Sequence, residues 1–351
     1  MTDRAFGRLL VTGGAGFIGS CYVRDVLARR DGTFLTVLDK LTYAGNESNL
    51  DAVRADPTLA DRLRFVRGDI ADPAVVGPLV AEADAIVNFA AESHVDRSIL
   101  DPEAFLRTGV IGVHVLLEAA RTASHRPRYL QVSTDEVYGS IDVGHATEEA
   151  MLAPRSPYAA AKAAGELLVR SYVITHALDA VTTRGSNTYG PHQHPEKLIP
   201  LFITNAIDDL PLPMYGDGQQ RRDWLHVTDH ASGVDFVLRH GVSGEIYNIA
   251  GGTEMANRDT VALLLDRLGK PWSLVRTVED RAGHDRRYAM DGSKLTALGW
   301  TPSRTFEAGL ADTVDWYRAN EPWWRAIRSG DWDAYYERQY GRRLATGTVP
   351  D

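Results

Sequence analysis

The feature that most restricts how this chain can fold is the turn Gly13-Gly14-Ala15-Gly16-Phe17-Ile18-Gly19. An apolar run before it, Arg8 to Thr12, reads as a short buried strand, and Ser20 to Arg30 after it reads as a helix. A second apolar run, Phe34 to Leu38, ends at Asp39, twenty positions beyond Gly19. A glycine-rich turn alone is weak evidence. Glycines at 13, 16 and 19 between strand and helix, with a carboxylate at that distance, form the fingerprint of a dinucleotide-binding βαβ unit. Small residues let the backbone approach a pyrophosphate, whose charge meets free N–H groups at the helix N-terminus. Asp39 is placed to accept hydrogen bonds from an adenosine ribose and to repel a 2′-phosphate. NAD is therefore expected rather than NADP, with Lys40 next door acting against that preference.

Strand-like and helix-like stretches go on alternating. Leu63 to Arg67 leads into Gly68-Asp69-Ile70, Ala85 to Ala90 into Ala91-Glu92-Ser93-His94, and the run from Leu130 into Thr134-Asp135-Glu136. This order predicts an α/β fold, a Rossmann-type doubly wound parallel sheet with a smaller α/β substrate-binding domain, and ligands outside the carboxyl ends of the strands. Asp69 is expected near an adenine, and Ala90-Ala91 where backbone runs close to the cofactor. Glu92, His94, Asp96 and Arg97 read either as catalytic groups or as an ion-paired loop, and Asp142, Glu148 and Glu149 as solvent-facing. Residues 103 to 123 and 156 to 177 read as long helices. Tyr158 and Lys162 then fall on one face, one turn apart.

Composition removes whole classes of function. The chain has 351 residues, 44% hydrophobic and 24% charged, enough to bury a sizeable core. Its formal net charge of -9 disfavours nucleic acid or an anionic membrane as partner. No apolar stretch reaches the roughly 18 residues of a membrane span, and no cationic region followed by a long apolar one marks the N-terminus, so an unprocessed protein is expected. The single cysteine, Cys21, reads as packing and suits a cytoplasmic location. The 11 histidines are scattered without ligand spacing, and no metal is expected.

Together, Gly13-x-x-Gly16-x-x-Gly19, Asp69-Ile70 and Tyr158-x-x-x-Lys162 resemble the extended short-chain dehydrogenase/reductase superfamily. Within it, Leu41 to Asn46, Ala90 to Ser98 and Ser133 to Gly139 closely resemble the dTDP-glucose 4,6-dehydratases, and the match runs from about Arg8 to Arg325. The resemblance implies a hydro-lyase that oxidises dTDP-glucose at C4 with NAD, eliminates water across C5 and C6, and returns hydride to C6. It implies Tyr158 as base toward the 4-hydroxyl, and Lys162 lowering the phenol pKa and holding the nicotinamide ribose. Glu136 is then the base at C5, Asp135 the acid at C6, and Thr134 a hydrogen-bond partner of the C4 oxygen. Adjacent carboxyls can divide acid and base work when their environments differ. A nucleotide-sugar 4-epimerase does not normally carry an acidic pair there. A UDP- or GDP-linked dehydratase is a further alternative, while a silent NAD-binding or nucleotide-sugar-binding regulator has no reason to keep all four groups. The same resemblance extends cofactor contact to Phe17, Ile18, Leu41, Thr42, Ile70, Phe89, Ser93 and Thr108, and implies a homodimer.

For the sugar nucleotide, Asn187 matches a phosphate-contacting asparagine, but Gly185 and Thr188 stand where relatives have Cys and a second Asn. His194 to Pro200, with Glu196, Lys197 and Leu198, resembles the segment lying along the nucleotide, and Pro213-Met214-Tyr215 the thymine pocket. Arg222 is implied at the pyrophosphate, where a guanidinium fork suits two oxygens, with Asn257 beside it. Arg281-Ala-Gly-His284 resembles a late Arg-Pro-Gly-His segment, with Ala282 in place of Pro, and brings Arg281, His284 and Tyr288 to phosphate and ribose. Ser93 and Thr134 face the sugar. Arg221, Arg286 and Arg287 read as surface ion pairs, and Trp316, Trp323, Trp324 and Trp332 as packing anchors. The implied organisation is a discontinuous NAD-binding domain, 1–189 plus 224–256, a nucleotide-sugar domain, 190–223 plus 257–330, and a C-terminal extension, 331–351, with a frayed end.

Overall fold

The computed structural model describes residues 3–29, 31–329 and 331–350. In chain order its strands are β1 (Arg8–Thr12), β2 (Phe34–Asp39), β3 (Leu63–Arg67), β4 (Ala85–Asn88), β5 (Arg128–Thr134), β6 (Ala180–Gly185), β7 (Asn187–Tyr189), β8 (Leu212–Tyr215), β9 (Arg221–His226), β10 (Ile246–Ile249), β11 (Glu254–Ala256) and β12 (Val275–Val278). Seven of them make one parallel sheet in the order β10-β6-β5-β4-β1-β2-β3. The continuous apolar runs of the central strands follow from burial on both faces. The strand order reverses between β1 and β4, so the loops leaving these two strands open onto one crevice.

Helices Phe17–Ala28 and Val227–His240 cover one face through Val23, Val26, Val234 and Leu238, and the Tyr22 hydroxyl donates to Asp235 at 3.2 Å between them. Helices Pro73–Ala81, Val113–Thr122 and Pro157–His176 cover the other through Val76, Leu79, Leu117 and Val169. Inside the sheet, the Thr12 hydroxyl donates to Asn88 (2.6 Å) and the Asn88 amide to Gln131 (2.9 Å). These bonds pin the register of β1, β4 and β5 and align their carboxyl ends. A separate apolar core, with Phe202, Ile203, Leu264, Leu310 and Trp324, lies under β8, β12 and the helices Leu198–Ile207, Asn257–Leu268 and Phe306–Ala319. Among the described residues no helix is long and apolar enough to cross a membrane.

Several expectations change at the level of elements. The stretch 224–239 supplies a helix to the main sheet, but its strand, β9, pairs with β7 and β11 in a small sheet of its own. The expected helix 103–123 is interrupted. Pro102–Leu106 is α-helical, Arg107–Gly112 widens into a π-helical turn, and the α-helix resumes at Val113. The first helix stops at Ala28, and Arg30 lies outside the described residues. Glu148 is buried rather than solvent-facing, because its carboxylate accepts the Asn248 backbone N–H (2.8 Å), whereas Asp142 and Glu149 are exposed. Leu295 and Trp300 pack on the sheet core, and Trp332 and Tyr340 join the second core. Residues 342–346, expected to fray, form a short helix, and Thr348 and Thr277 exchange backbone hydrogen bonds of 2.7 and 3.2 Å. Asp351 and Gly330 lie outside the described residues.

Candidate active site

The crevice at the reversal point opens as a cleft that runs from the glycine turn to Tyr158 and Lys162. Gly13 begins it with a left-handed φ of 70°, and a Cβ there would lie 2.6 Å from the Ala90 nitrogen, so only glycine lets the two loops touch. A Cβ on Gly19 would lie 2.3 Å from the Gly13 carbonyl oxygen. At one end of the cleft the buried Asp39 carboxylate accepts the backbone N–H groups of Ala15 (2.9 Å) and Leu41 (2.8 Å). Burial raises its pKa. Asp69 sits beside it, paired with Lys40 at 2.9 Å. Gly16, Phe17, Ile18, Thr42, Ile70, Phe89, Ala91, Ser93 and Thr108 line the same space, Thr108 by way of the π-helical turn. Leu41 does not line it; with φ at 57° its role is to turn its N–H onto Asp39. A glycine turn with no room for side chains, a helix N-terminus and an acidic ribose end fit a dinucleotide.

At the other end stand Tyr158 and Lys162, on the helix that Ser156 caps by accepting the Ala159 N–H (3.1 Å), with Pro157 in its first turn. Lys162 donates to the Val132 carbonyl (2.9 Å), and burial lowers its pKa to about 8. The phenol moves the other way: burial first, then the Glu136 carboxylate, push it up, with Thr134 opposing. The Lys162 ammonium is turned toward the Val132 carbonyl and is not among the groups that set the direction of the phenol here.

Thr134 ends β5 and Asp135-Glu136 opens a single 3₁₀ turn, Asp135–Tyr138. The Thr134 hydroxyl donates to Asp135 (3.1 Å) and accepts the Glu136 N–H (3.3 Å). Asp135 is buried, its second oxygen has no partner, and burial followed by the neighbouring Glu136 raises its pKa well above the carboxylate range. Glu136 is also raised by burial, but Arg281, Lys197 and Arg222 pull it back. Burial raises both carboxyls, and more cations oppose it at Glu136 than at Asp135.

The cations come from the second core. Arg222 ends near His284 (3.0 Å) and the Asp285 carbonyl (3.1 Å), with its guanidinium 4.3 Å from the centre of the Tyr288 ring. Tyr288 donates to Asp285 (2.8 Å) and lies 3.5 Å from Glu136. Arg281 reaches Asp96 at 3.4 Å, and Tyr215 donates to Asp96 at 3.1 Å. Arg97 pairs with Glu196 (2.7 Å) between the rings of Tyr43 and Tyr335. Burial opposes ionisation of Glu196, yet His94, His194, Arg97 and Lys197 bring its pKa down to about 2. The loop read as ion-paired therefore ties the main sheet to the second core. Lys197 donates to the Ser93 carbonyl (2.6 Å) and stands at the N-cap of the helix that Leu198 begins. Asn187 and Asn257 each keep a buried side-chain oxygen without a partner. Pro213, Met214 and Tyr215 do not line the cleft: Met214 packs in the second core with Leu212, and the partly buried Tyr215 packs against the same core. Arg221 and Arg287 pair with Glu254, and Arg286 with Asp217, as surface ion pairs.

The model of the family described as GDP-mannose 4,6 dehydratase matches residues 10–313. A dTDP-glucose 4,6-dehydratase from Streptomyces antibioticus is 54% identical over 326 residues, 91% of this chain and 95% of the relative. A solved structure of DesIV, a dTDP-glucose 4,6-dehydratase from Streptomyces venezuelae with NAD bound, is 53% identical with a TM-score of 0.88, over 91% of this chain and 99% of that one. This chain belongs to the dTDP-glucose 4,6-dehydratase family. A UDP-glucose 4-epimerase from Thermus thermophilus with NAD shares the architecture at 32% identity and a TM-score of 0.81, over 89% of this chain and 99% of that one. The cleft also contains Gln193 and His230, which were not singled out beforehand, and Ser133 and His194, which the sequence marked only as the first residues of recognised segments. Ser133 begins a recognised motif, but His230 lies on a helix at a spacing no different from that of its neighbours, and nothing in the sequence marks it.

Proposed function

We propose that this protein is an NAD-dependent dTDP-glucose 4,6-dehydratase working as a cytoplasmic homodimer. The carrying observation is the unlike surroundings of Asp135 and Glu136: a buried carboxyl with one oxygen left unpartnered, beside one drawn down by Arg281, Lys197 and Arg222. Such a pair supplies an acid and a base at one place. NAD would be held by the glycine turn, Asp39 and Lys162, and would supply the hydride acceptor for C4 and the hydride donor for C6. Tyr158 takes the proton of the 4-hydroxyl, whose oxygen Thr134 holds. Glu136 then takes the proton from C5, made acidic by the new C4 carbonyl, Asp135 protonates the C6 hydroxyl, which leaves as water, and the proton held by Glu136 goes back to C5 as C6 receives hydride. Arg222, Arg281, His284 and Asn187 hold the diphosphate, and Tyr215 with Pro213 bounds the base.

The division into a nucleotide-binding unit and a nucleotide-sugar unit rests on the two cores. The homodimer rests on exposed aliphatic side chains, Leu106, Ile111, Leu167 and Ile174, along helical segments packed on the sheet. The test is to incubate the protein with dTDP-glucose and follow product mass. Loss of one water is expected; conversion to the galactose form at unchanged mass overturns the reading. In Glu136→Gln, turnover should fall by about 10²-fold or more, NADH should accumulate and C5 should not exchange with deuterium. Normal C5 exchange removes Glu136 from the base role.

A further inference from the structure

His230, in the helix Val227–His240, and Ser133, in β5, are buried side chains that line the cleft at its Tyr158 and Lys162 end. The mechanism above uses neither. Each keeps one buried polar atom without a partner, Nε2 of His230 and Oγ of Ser133. Buried polar atoms are rarely left unpaired in a folded chain, and two of them at one end of a ligand cleft point to a ligand.

The hydrogen bonds around His230 fix which of its nitrogens can accept. The Thr188 hydroxyl donates its one proton to the Ser186 carbonyl (3.0 Å), so at 2.7 Å from His230 Nδ1 it can only accept. Nδ1 therefore carries the proton of a neutral ring, and Nε2 is a lone pair. Burial, reinforced by the Lys162 ammonium, lowers the His230 pKa to about 4, which keeps the ring neutral near pH 7. Ser133, in contrast, has a proton to donate. Gly185 completes the arrangement, because a Cβ there would lie 2.3 Å from Cε1 of His230. The two departures from the family pattern, Gly185 and Thr188, are thus the two residues that seat and polarise this imidazole.

A fixed acceptor beside a donor is the complement of a primary carboxamide, which presents N–H groups and a carbonyl oxygen. We propose that His230 and Ser133 clamp the nicotinamide carboxamide: Nε2 accepts from its amino group and the Ser133 hydroxyl donates to its oxygen. The clamp fixes which face of the ring is turned toward the sugar. It rests on the NAD reading above.

3-Acetylpyridine adenine dinucleotide keeps the carbonyl and lacks the amino group, so it separates the two contacts. Each protein is equilibrated with a subsaturating equimolar mixture of NAD and this analogue and desalted, and the bound dinucleotides are separated and quantified. The wild-type chain should retain NAD over the analogue by about tenfold, since the analogue leaves Nε2 unpaired. In His230→Leu the ratio should fall to about two or less, and in Ser133→Ala it should persist while total occupancy falls several-fold. Thr188→Val, which removes only the polarising hydroxyl, should narrow the ratio as well and serves if His230→Leu does not fold. Ratios and occupancies unchanged across the variants overturn the clamp alone. A wild-type chain that retains neither dinucleotide overturns the NAD reading and the clamp with it.

Discussion

Lys162 shows how far the site departs from what stability alone would select. Its neighbourhood is apolar enough to hold the ammonium pKa near 8, against roughly 10.4 for a free lysine. Between those values the unfolded chain binds a proton the native chain lacks, so stability should rise with pH from about 8 to about 10, and below 8 the folded state carries the full cost of a buried charge. Lys162→Met is therefore expected to stabilise the protein at pH 7 by an amount of the order of 2 kcal/mol, roughly 3 °C in thermal midpoint, and to flatten the dependence above pH 8 while abolishing turnover. Thermal scans of both proteins at pH 7 and 9.5 decide it; a variant less stable at pH 7 contradicts the estimate. Tyr158, Lys162, Asp135 and Glu136 could be picked out in the sequence because spacing and adjacency survive in one dimension. The direction in which each pKa moves could not, since it depends on burial and on Arg281, Lys197 and Arg222 arriving from elsewhere in the chain.

Among elements, the π-helical turn Arg107–Gly112 does something a regular helix would not: it presents Thr108 to the cleft while Gly109 and Gly112 lie against neighbours. Such turns recur at functional sites because they reorient one residue without ending the helix. Gly109 faces Ala161, and a Cβ on Gly165 would come within 2.8 Å of the Gly109 carbonyl oxygen, a backbone atom with no rotamer to yield. Gly165→Ala should push the two helices apart, cost about 1–3 kcal/mol and lower the bound-nucleotide content. Thermal denaturation together with nucleotide extraction checks both halves; wild-type values for each would show that the contact is slack. Apolar periodicity marked this region as helical but could not reveal the widened turn, because one inserted residue barely disturbs the pattern of buried and exposed side chains.

For the whole molecule, the remaining exposed apolar surface on the long helices is the testable quantity. Ile174 is 72% and Leu167 54% exposed, one on either side of two helical turns. The proposed dimer would bury them; Leu167→Glu together with Ile174→Glu should shift the protein to monomer in light scattering, whereas a wild-type mass identical to that of the variant would remove this face from the interface. The one-dimensional order of strands, the glycine turn and Asp39 determined the doubly wound sheet and the dinucleotide crevice, because both follow from local spacing and from the handedness of βαβ connections. Tertiary structure alone decided the rest: that Glu148 turns inward to Asn248, that Met214 packs in the second core while the Tyr215 hydroxyl reaches Asp96, and that His230 crosses over Gly185 into the cleft. Each of these depends on which distant backbone lies within a few ångströms, and packing rather than sequence spacing sets that distance.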